Sequence, residues 1–319
     1  MIEKINDYIK QLNYNDVTNL YEPIRYVLAL GGKRIRPQLM LIAYKLFKND
    51  VESILPQAVA LEIYHNFTLL HDDLMDRADM RRGRPTVHKK WNDNTAILSG
   101  DAMLILAYQQ FSLNIKDNSN FAKALQTFNE ATLGVCEGQQ YDIDFESKTD
   151  VSENDYMEMI RLKTSLLLAC ALKIGAQLAG ADDKNADLLY KFGEKIGQAF
   201  QLQDDLLDVY GDPAVFGKKL GGDIVCNKKT YMLINALQIT KGDTHDTLVS
   251  WINKTDFNSE EKIQIVKNIY NEINIQKLCE EKIQDLFTEA LFHLQNINVP
   301  EERKQPLVDF ANTLLSRKY

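Results

Sequence analysis

Apolar residues recur at helical spacing along most of the chain. One helical face near the start carries Ile2, Ile5, Ile9 and Leu12. Polar clusters and glycine pairs such as Gly31-Gly32 separate the apolar runs, and alternating strand patterns with hairpin turns are absent. This pattern predicts an all-α protein, a bundle of about a dozen helices around a central apolar cavity. Because no linker or change in composition divides the chain, we predict a single domain over residues 1–319.

Two strongly apolar helices are predicted to end in three aspartates each. The first runs from about Pro56 through Asp76 and ends in "HDDLMD", and the second ends in "QLQDDLLD". The first and third aspartates of a D-D-x-x-D segment share one helical face. A single such segment is slightly more typical of a solvated acidic helix end than of a metal site, but two copies after apolar runs indicate a bound cation. The residues are Asp72, Asp73, Asp76, Asp204, Asp205 and Asp208.

The donor atoms in these segments favour magnesium. All are hard oxygens, without clustered Cys or His, so zinc is disfavoured. The segments also lack the glycine and the alternation of a calcium-binding loop. Magnesium takes one or two carboxylates and completes its coordination with water and substrate phosphate oxygens. We therefore expect two facing acidic clusters that hold Mg²⁺ and a phosphorylated ligand.

The charge distribution excludes some functions and supports others. The chain has 319 residues, 45% of them hydrophobic, and a net charge of −8, which argues against a nucleic-acid-binding protein. Its four cysteines show no disulfide or metal-ligand spacing. We expect no signal peptide, because "MIEKINDYIK" lacks an uninterrupted apolar core. We also expect no transmembrane segment, because the apolar stretch 164–181 is interrupted by Lys173 and Gln177. A cytoplasmic location is the expectation that follows.

Basic residues are nevertheless clustered, in "GGKRIRP", "RRGR" and "FGKKLGGDIVCNKKT". Such local clusters on an acidic chain fit a small anionic ligand. Taken singly, each residue would be expected to be a solvated surface charge. No nucleotide-binding P-loop motif occurs. Arginines could bind diphosphate oxygens in bidentate fashion and lysines as point charges; the candidates are Lys33, Arg36, Arg81, Arg82, Lys163, Lys218 and Lys228.

Together these segments resemble the trans-isoprenyl diphosphate synthases, the head-to-tail prenyltransferases. The matching segments lie between residues 31 and 230 in the family's order: "GGKRIRP", "YHNFTLLHDDLMD", "MRRGRPT", "SGDAML", "EGQQYD", "RLKTS", "FQLQDDLLD" and "FGKKLGGD…NKKT". The similarity is greatest to bacterial short-chain members of the geranylgeranyl diphosphate synthase type. The resemblance implies the helical isoprenoid synthase fold over the whole chain and a homodimer.

It also implies the site residues. The six aspartates would bind about three Mg²⁺ ions that bridge to an allylic diphosphate, with further contacts from Arg81, Lys163, Lys218 and Lys228. Isopentenyl diphosphate would be bound by Lys33, Arg36, His65 and Arg82, although His65 alone would be interpreted as a core histidine bonded to a carbonyl. Thr164 and Gln201 would line the reaction centre beside Lys163 and Asp204. The sequence departs from the family at Asn227, where many relatives have glycine.

The reaction implied is ionisation of the allylic diphosphate, attack by isopentenyl diphosphate and loss of a proton. Product length would depend on Phe67 and Tyr64, about 7.5 Å and about 12 Å along the helix from Asp72 at a rise of about 1.5 Å per residue. Alternatively, Tyr108 or Phe111 on another helix forms the floor. The twenty-carbon geranylgeranyl product is expected, with the fifteen-carbon farnesyl product as the next candidate.

Three other functions remain open at this point. A terpene cyclase or an enzyme similar to squalene synthase would also ionise an allylic diphosphate, but it has no need for the "GGKRIRP" segment. A non-catalytic prenyltransferase subunit would not need both intact acidic motifs. A helical interaction protein explains the helices alone. Beyond residue 230 we predict amphipathic helices, one of them capped at Asn258 or Ser259, and a solvated "SRKY" tail.

Overall fold

The chain is mostly helical, as the apolar periodicity predicts. The structure is a computed structural model that describes residues 1–14, 17–114, 119–212 and 220–315. Its helices are α1 (Ile2–Lys10), α2 (Thr18–Ala29), α3 (Ile35–Lys45), α4 (Leu55–Met75), α5 (Val87–Lys90), α6 (Asp93–Phe111), α7 (Phe121–Ser147), α8 (Glu153–Ile160), α9 (Leu166–Leu178), α10 (Asp183–Tyr210), α11 (Gly222–Val225), α12 (Tyr231–Ile239), α13 (Gly242–Asn253), α14 (Ser259–Glu272), α15 (Ile275–Gln295) and α16 (Glu301–Leu315).

Two less common helical turns accompany them. A 3₁₀ turn over Val51–Ile54 precedes α4, and a π-helical turn over Arg161–Ser165 joins α8 to α9 without a break. Counting that continuous run once gives fifteen helices in the described ranges, which confirms the all-α prediction. The number exceeds a dozen because short helices such as α5 and α11 have no periodic apolar face. None of the described helices combines the length and apolar character needed to cross a bilayer.

The described chain forms two compact units. The first comprises Met1–Thr127 and Ala171–Ala186, and the second comprises Phe128–Cys170 and Asp187–Tyr319. Helices α7, α9 and α10 contribute residues to both units. The assignment of residues 1–319 to a single domain stays a prediction.

Helix α4 is the centre of the first unit. Most of its residues from Pro56 to Leu70 are buried, and it packs against α1, α2, α3 and α6. Gly100 on α6 lies against the ring of His71, because a Cβ at that glycine would be 2.2 Å from Nε2. Glycine at this position therefore allows α4 and α6 to approach closely. The observed helix agrees with the predicted span from Pro56 through Asp76.

A buried ion pair fixes the segment that leads into α3. Arg34 has a left-handed backbone, with φ of 48°, and its side chain is almost completely buried. Nη1 donates to Glu62 Oε1 at 2.6 Å, Nη2 to the Leu28 carbonyl at 2.6 Å, and Nε to Asn6 Oδ1 at 3.1 Å. These three contacts satisfy the buried charge, so Arg34 is a structural residue within the basic segment.

A small hairpin follows α4. Strands β1 (Met80–Arg81) and β2 (Arg84–Pro85) pair in antiparallel register, with Arg81 opposite Arg84. The two turn residues, Arg82 and Gly83, both have positive φ, 51° and 73°, as a type I′ hairpin turn requires. The sequence pattern predicted no strand here because two residues per strand are too few to show alternation.

The second unit has its own apolar core. Helices α10 and α12–α15 contribute buried residues that include Leu202, Leu206, Leu248 and Cys279. Asn258 caps α14, as predicted, by accepting hydrogen bonds from the backbone of Glu260 and Glu261.

Two glycines approach the π-helical turn within this unit. A Cβ at Gly138 of α7 would be 2.4 Å from the Lys163 backbone nitrogen, and one at Gly197 of α10 would be 2.5 Å from Ser165 Cα. The neighbouring helices therefore touch the turn at the level of its backbone.

Candidate active site

The first aspartate motif lies at the C-terminal end of α4. Arg81 Nε donates to both carboxylate oxygens of Asp73, each at 2.8 Å, and Arg81 Nη2 is 3.6 Å from Asp72 Oδ2. Asp73 is buried while Asp76, at the helix C-cap, is exposed. Burial raises the pKa of Asp73, and the Arg81 guanidinium acts in the opposite direction. The hairpin thus places Arg81, a predicted diphosphate ligand, beside Asp72 and Asp73, two predicted metal ligands.

Arg36 and His65 form the centre of a second cluster in the same unit. Arg36 Nη1 lies 3.0 Å from His65 Nε2. Burial, reinforced by Arg36 and other nearby arginines, holds the pKa of His65 well below its usual range. The imidazole is therefore neutral at pH 7 and accepts the hydrogen bond from the guanidinium. The expectation for an isolated core histidine, a bond to a backbone carbonyl, is wrong for Nε2.

The same cluster retains a hydrogen-bond donor for a ligand. Burial lowers the pKa of Arg36 to about 10, so the guanidinium stays charged at neutral pH. Its Nε is buried and finds no hydrogen-bond partner among the described residues. A buried donor of this kind is costly unless a bound anion or water pairs with it.

The glycine pair before Lys33 also contacts an arginine. Arg82 Nη1 donates to the Gly31 carbonyl. A Cβ at Gly32, whose φ is +128°, would lie 2.9 Å from the Arg82 guanidinium. Glycine is therefore needed at Gly32 both for its backbone conformation and for this approach. Lys33 is exposed on the same segment, so this loop and the hairpin place Lys33 and Arg82 in one unit with Arg36 and His65.

The second motif contains a buried chain of hydrogen bonds. Asp205 is 3% exposed, and its carboxylate accepts from the Tyr156 hydroxyl at 2.5 Å and from Gln201 Nε2 at 2.9 Å. Thr164 Oγ1 in turn donates to Gln201 Oε1 at 2.9 Å. Burial raises the pKa of Asp205 to about 6. Two predicted reaction-centre residues are therefore linked to the second aspartate motif within one unit.

Sequence reasoning missed Tyr156. Its ring is almost completely buried on α8, where its spacing fits the apolar face of the helix. A core tyrosine and one that bonds a carboxylate look the same in a sequence. Only the fold, which packs α8 against the aspartates of α10, distinguishes them.

The third aspartate of the second motif is bonded to the loop that carries α11. Asp208 Oδ2 accepts from the Asp223 backbone nitrogen at 3.0 Å, and the Asp208 carbonyl accepts from Gly221 N at 2.7 Å. Lys228 Nζ is 3.9 Å from Asp223 Oδ1. Asp204 is partly buried on the same helix. Lys218, predicted as a diphosphate ligand, lies outside the described residues, as does the "SRKY" tail.

Lys163 occupies the π-helical turn. Its Nζ is 2.5 Å from Asp142 Oδ2 on α7, an aspartate within the "EGQQYD" segment of the family resemblance. π-Helical turns are rare and often occur at functional sites. This turn shifts the register of Lys163 and Thr164 relative to α8, which no spacing rule in the sequence predicts.

The residues predicted to limit product length lie in the first unit. Tyr64 and Phe67 are buried on α4, with ring centroids 5.4 Å apart, and Phe67 is 4.9 Å from the His71 ring. The alternative floor residue Phe111 is completely buried and lies 5.8 Å from the Phe121 ring. Tyr108 is partly exposed on α6.

The donor set fits magnesium in its chemistry. Within the described ranges, no three Cys, His, Asp or Glu side chains are already gathered as a metal site. Asp73 and Asp205 each accept hydrogen bonds at both carboxylate oxygens, and each oxygen retains a lone pair that could coordinate a metal. The binding of metal by all six aspartates stays a prediction.

The chain is similar to known proteins of one family over most of its length. The polyprenyl synthetase family model matches residues 17–273. A short chain isoprenyl diphosphate synthase from Methanocaldococcus jannaschii is 37% identical over 319 residues, covering 100% of this chain and 95% of that protein. A crystal structure of a geranylgeranyl pyrophosphate synthase has a TM-score of 0.92 and 41% identity, covering 100% of this chain and 99% of that one.

A third similar protein was solved with ligands. The geranylgeranyl pyrophosphate synthase from Corynebacterium glutamicum, in complex with isoprenyl diphosphate and magnesium, has a TM-score of 0.87 and 28% identity. The match covers 99% of this chain and 97% of that one. The resemblance noted in the sequence is thereby confirmed, and the chain belongs to the polyprenyl synthetase family.

Proposed function

We propose that this protein is a short-chain trans-prenyltransferase that condenses isopentenyl diphosphate with an allylic diphosphate and makes geranylgeranyl diphosphate as its main product. The observation that carries the proposal is that one unit of a family member gathers candidate groups for both diphosphates. The first unit gathers Asp72, Asp73 and Arg81 at the end of a buried helix, with the Arg36–His65 pair in the same unit. A cyclase would have no use for the second of these clusters.

The aspartates of both motifs are proposed to bind about three Mg²⁺ ions together with the allylic diphosphate. The hard-oxygen donor set supports this, as does magnesium in the similar Corynebacterium glutamicum structure. When bound, Mg²⁺ would neutralise the charge that accumulates on the departing diphosphate. Arg81, Lys163, Lys218 and Lys228 add positive charge at the same oxygens.

Isopentenyl diphosphate is proposed to bind at Lys33, Arg36, His65 and Arg82. The unpartnered Nε of Arg36 supplies a buried donor for its diphosphate, and neutral His65 orients that guanidinium. The carbon–oxygen bond of the allylic substrate then breaks, and the double bond of isopentenyl diphosphate attacks the resulting cation. The released diphosphate takes the proton lost in the last step. Thr164 and Gln201, which are hydrogen-bonded to each other, are proposed to line the site of the cation, and the buried helix α4 is proposed to help exclude water.

Product length is proposed to depend on the aromatic pair upstream of Asp72. Phe67 lies more than one helical turn before the motif, and Tyr64 about one turn further. Their edge-to-face contact presents rigid rings to a chain growing along α4. The expected product is geranylgeranyl diphosphate, with farnesyl diphosphate as the next candidate.

A homodimer is proposed as the working state. Helix α6 carries Leu98 and Ile105 two turns apart on one face, 60% and 59% exposed, and a second copy would cover this apolar stripe. Sedimentation should give about twice the chain mass of 36.6 kDa, and a monomer would contradict the proposal. A cytoplasmic location is proposed as well, to be tested by cell fractionation.

The direct test offers the purified chain isopentenyl diphosphate with five-, ten- or fifteen-carbon allylic starters and Mg²⁺. We expect condensation with all-trans twenty-carbon product, and no product when Mg²⁺ is chelated. Turnover of a prenyl diphosphate without consumption of isopentenyl diphosphate would instead indicate a cyclase. A chain that is inactive alone would indicate a non-catalytic subunit.

A further inference from the structure

Lys262 is a completely buried lysine in the second unit. It lies on α14 with 0% exposure. Its Nζ donates to the Val225 carbonyl at 3.1 Å and to Asn227 Oδ1 at 2.7 Å, and it lies 4.3 Å from the Phe257 ring centroid. Among the described residues no carboxylate is within ion-pair distance of Nζ. The ammonium is thus stabilised by neutral groups: Val225 is the last residue of α11, and Asn227 lies in the loop that follows it.

Asn227 makes hydrogen bonds with both polar atoms of its side-chain amide. Its Oδ1 accepts from Lys262, and its Nδ2 donates to the Ile252 carbonyl at 2.9 Å. Its backbone is left-handed, with φ of 55°, a conformation that glycine and asparagine tolerate. Glycine, which the family resemblance implies at this position, would adopt the same backbone conformation. Asparagine adds side-chain contacts that glycine cannot make.

The loop braced in this way holds two groups of the proposed allylic site. The Lys228 backbone nitrogen donates to the Asp223 carbonyl at 2.9 Å, and the Asp223 backbone nitrogen donates to Asp208 Oδ2 at 3.0 Å. Lys228 directly follows Asn227 in sequence. A shift of Asn227 would therefore move the Lys228 ammonium and the hydrogen bond that orients Asp208.

The same helix supports the beginning of the loop. A Cβ at Gly221 would lie 2.7 Å from the Ile263 side chain, and Gly221 N donates to the Asp208 carbonyl at 2.7 Å. Consecutive residues of α14, Lys262 and Ile263, thus contact both ends of the segment from Gly221 to Asn227. The segment cannot move away from α14 without leaving a buried ammonium without its acceptors.

We propose that Lys262, acting through Asn227, is a positioning residue for the magnesium- and allylic-diphosphate-binding groups Asp208 and Lys228. The proposal deepens the proposed function and rests on it for the identity of the ligands. It assigns no contact between Lys262 and substrate. Asn227 is the intermediary that this chain has in place of glycine.

The test compares Lys262→Met, Asn227→Gly and the double variant with wild type. Methionine keeps the length and apolar stem of lysine, and glycine accepts the left-handed backbone, so Asn227→Gly is expected to fold. Removing a group that orients a metal ligand typically weakens metal binding about 10-fold or more. Each single variant should raise the half-saturating concentrations of Mg²⁺ and farnesyl diphosphate about 10-fold. The KM for isopentenyl diphosphate, whose proposed residues belong to the first unit, should stay unchanged.

The double variant should have half-saturating concentrations close to those of the single variants, because both substitutions remove the same hydrogen bond between Lys262 and Asn227. Lys277→Met is the matched control: it removes an exposed lysine of the second unit, paired with Glu281 at 3.7 Å, and should leave all three constants unchanged. The proposal would be overturned if Lys262→Met left the half-saturating concentrations of Mg²⁺ and farnesyl diphosphate unchanged. It would also be overturned if the KM for isopentenyl diphosphate rose by the same factor, or if the effects of the two substitutions on these constants added in the double variant.

Binding of inorganic pyrophosphate with Mg²⁺, measured by calorimetry, provides a readout that needs no turnover. The single variants should bind it about 10-fold more weakly than wild type. If the wild type fails to condense the substrates, the proposed function is refuted, while this binding difference still decides whether Lys262 positions the anion site. Equal binding by all variants would overturn the inference.

Discussion

Gly138→Ala should disrupt catalysis through the π-helical turn that carries Lys163. A Cβ at Gly138 would lie 2.4 Å from the Lys163 backbone nitrogen and 2.8 Å from the Leu162 carbonyl carbon. Carbon atoms in contact normally lie about 3.5–4.0 Å apart. Because both neighbours are backbone atoms, α7 and the turn must separate by about 1 Å. A misplacement of about 1 Å costs about 100-fold in rate when the displaced group orients a substrate.

We therefore expect kcat to fall about 100-fold and the free energy of unfolding to fall by about 1–3 kcal/mol. Steady-state condensation of farnesyl and isopentenyl diphosphates, with urea unfolding in parallel, would measure both. Gly134→Ala is the matched control, one turn earlier on α7. Its Cβ would meet side-chain atoms and no backbone, with Leu166 Cδ2 at 2.4 Å and Leu162 Cδ2 at 3.4 Å, and side-chain ends shift more easily than backbone. The gain in helix propensity is the same in both variants.

The expected result for the control is a kcat near the wild-type value. Wild-type activity in Gly138→Ala would refute a role in catalysis for the position of the π-helical turn. An equal loss of kcat in both alanine variants would also refute that role, because it would show that any substitution on this part of α7 lowers activity, whether or not it displaces the turn.

Three further predictions concern the first unit. Phe67→Ala should lengthen the main product by at least one isoprene unit, as measured by chromatography of the dephosphorylated products; unchanged length would remove Phe67 from this role. Arg34→Met should lower the free energy of unfolding by about 3–5 kcal/mol, because it leaves the Glu62 carboxylate buried without its cation; a urea-measured loss below about 1 kcal/mol would contradict this. The lowered pKa of His65 means that the folded chain binds fewer protons than the unfolded chain below pH 6.5. The free energy of unfolding should therefore fall on acidification through that range, by up to about 1.4 kcal/mol per pH unit. Urea unfolding at pH 7.5 and 5.5 should show a smaller fall in His65→Asn than in wild type. An equal fall in both proteins would contradict the lowered pKa of His65.

Local features were predictable because they depend on neighbours in sequence. The end of α4 is marked by the change from apolar residues to aspartates, and the observed helix Leu55–Met75 agrees closely with prediction. The Asn258 cap follows from a polar residue before an acidic first turn. The clustering of Arg81 with the first motif follows from its short distance along the chain, which the hairpin shortens further.

The remaining contacts join residues far apart in sequence. Tyr156 and Asp205 are 49 residues apart, and Asn227 and Lys262 are 35 apart, so no periodic pattern connects them. Gly138 approaches the backbone of the π-helical turn closely, and the sequence does not distinguish this glycine from the others. Packing decides these features, and packing is visible only in the fold.

Both aspartate motifs are proposed to serve one Mg²⁺-dependent ionisation. The most direct measurement is the condensation rate of farnesyl with isopentenyl diphosphate against Mg²⁺ concentration, in Asp72→Asn and Asp204→Asn. Each substitution removes one hard anionic oxygen donor and keeps side-chain size. Both variants should lose about 1,000-fold or more in rate and need far more Mg²⁺. Wild-type rate and Mg²⁺ dependence in either variant would contradict the claim.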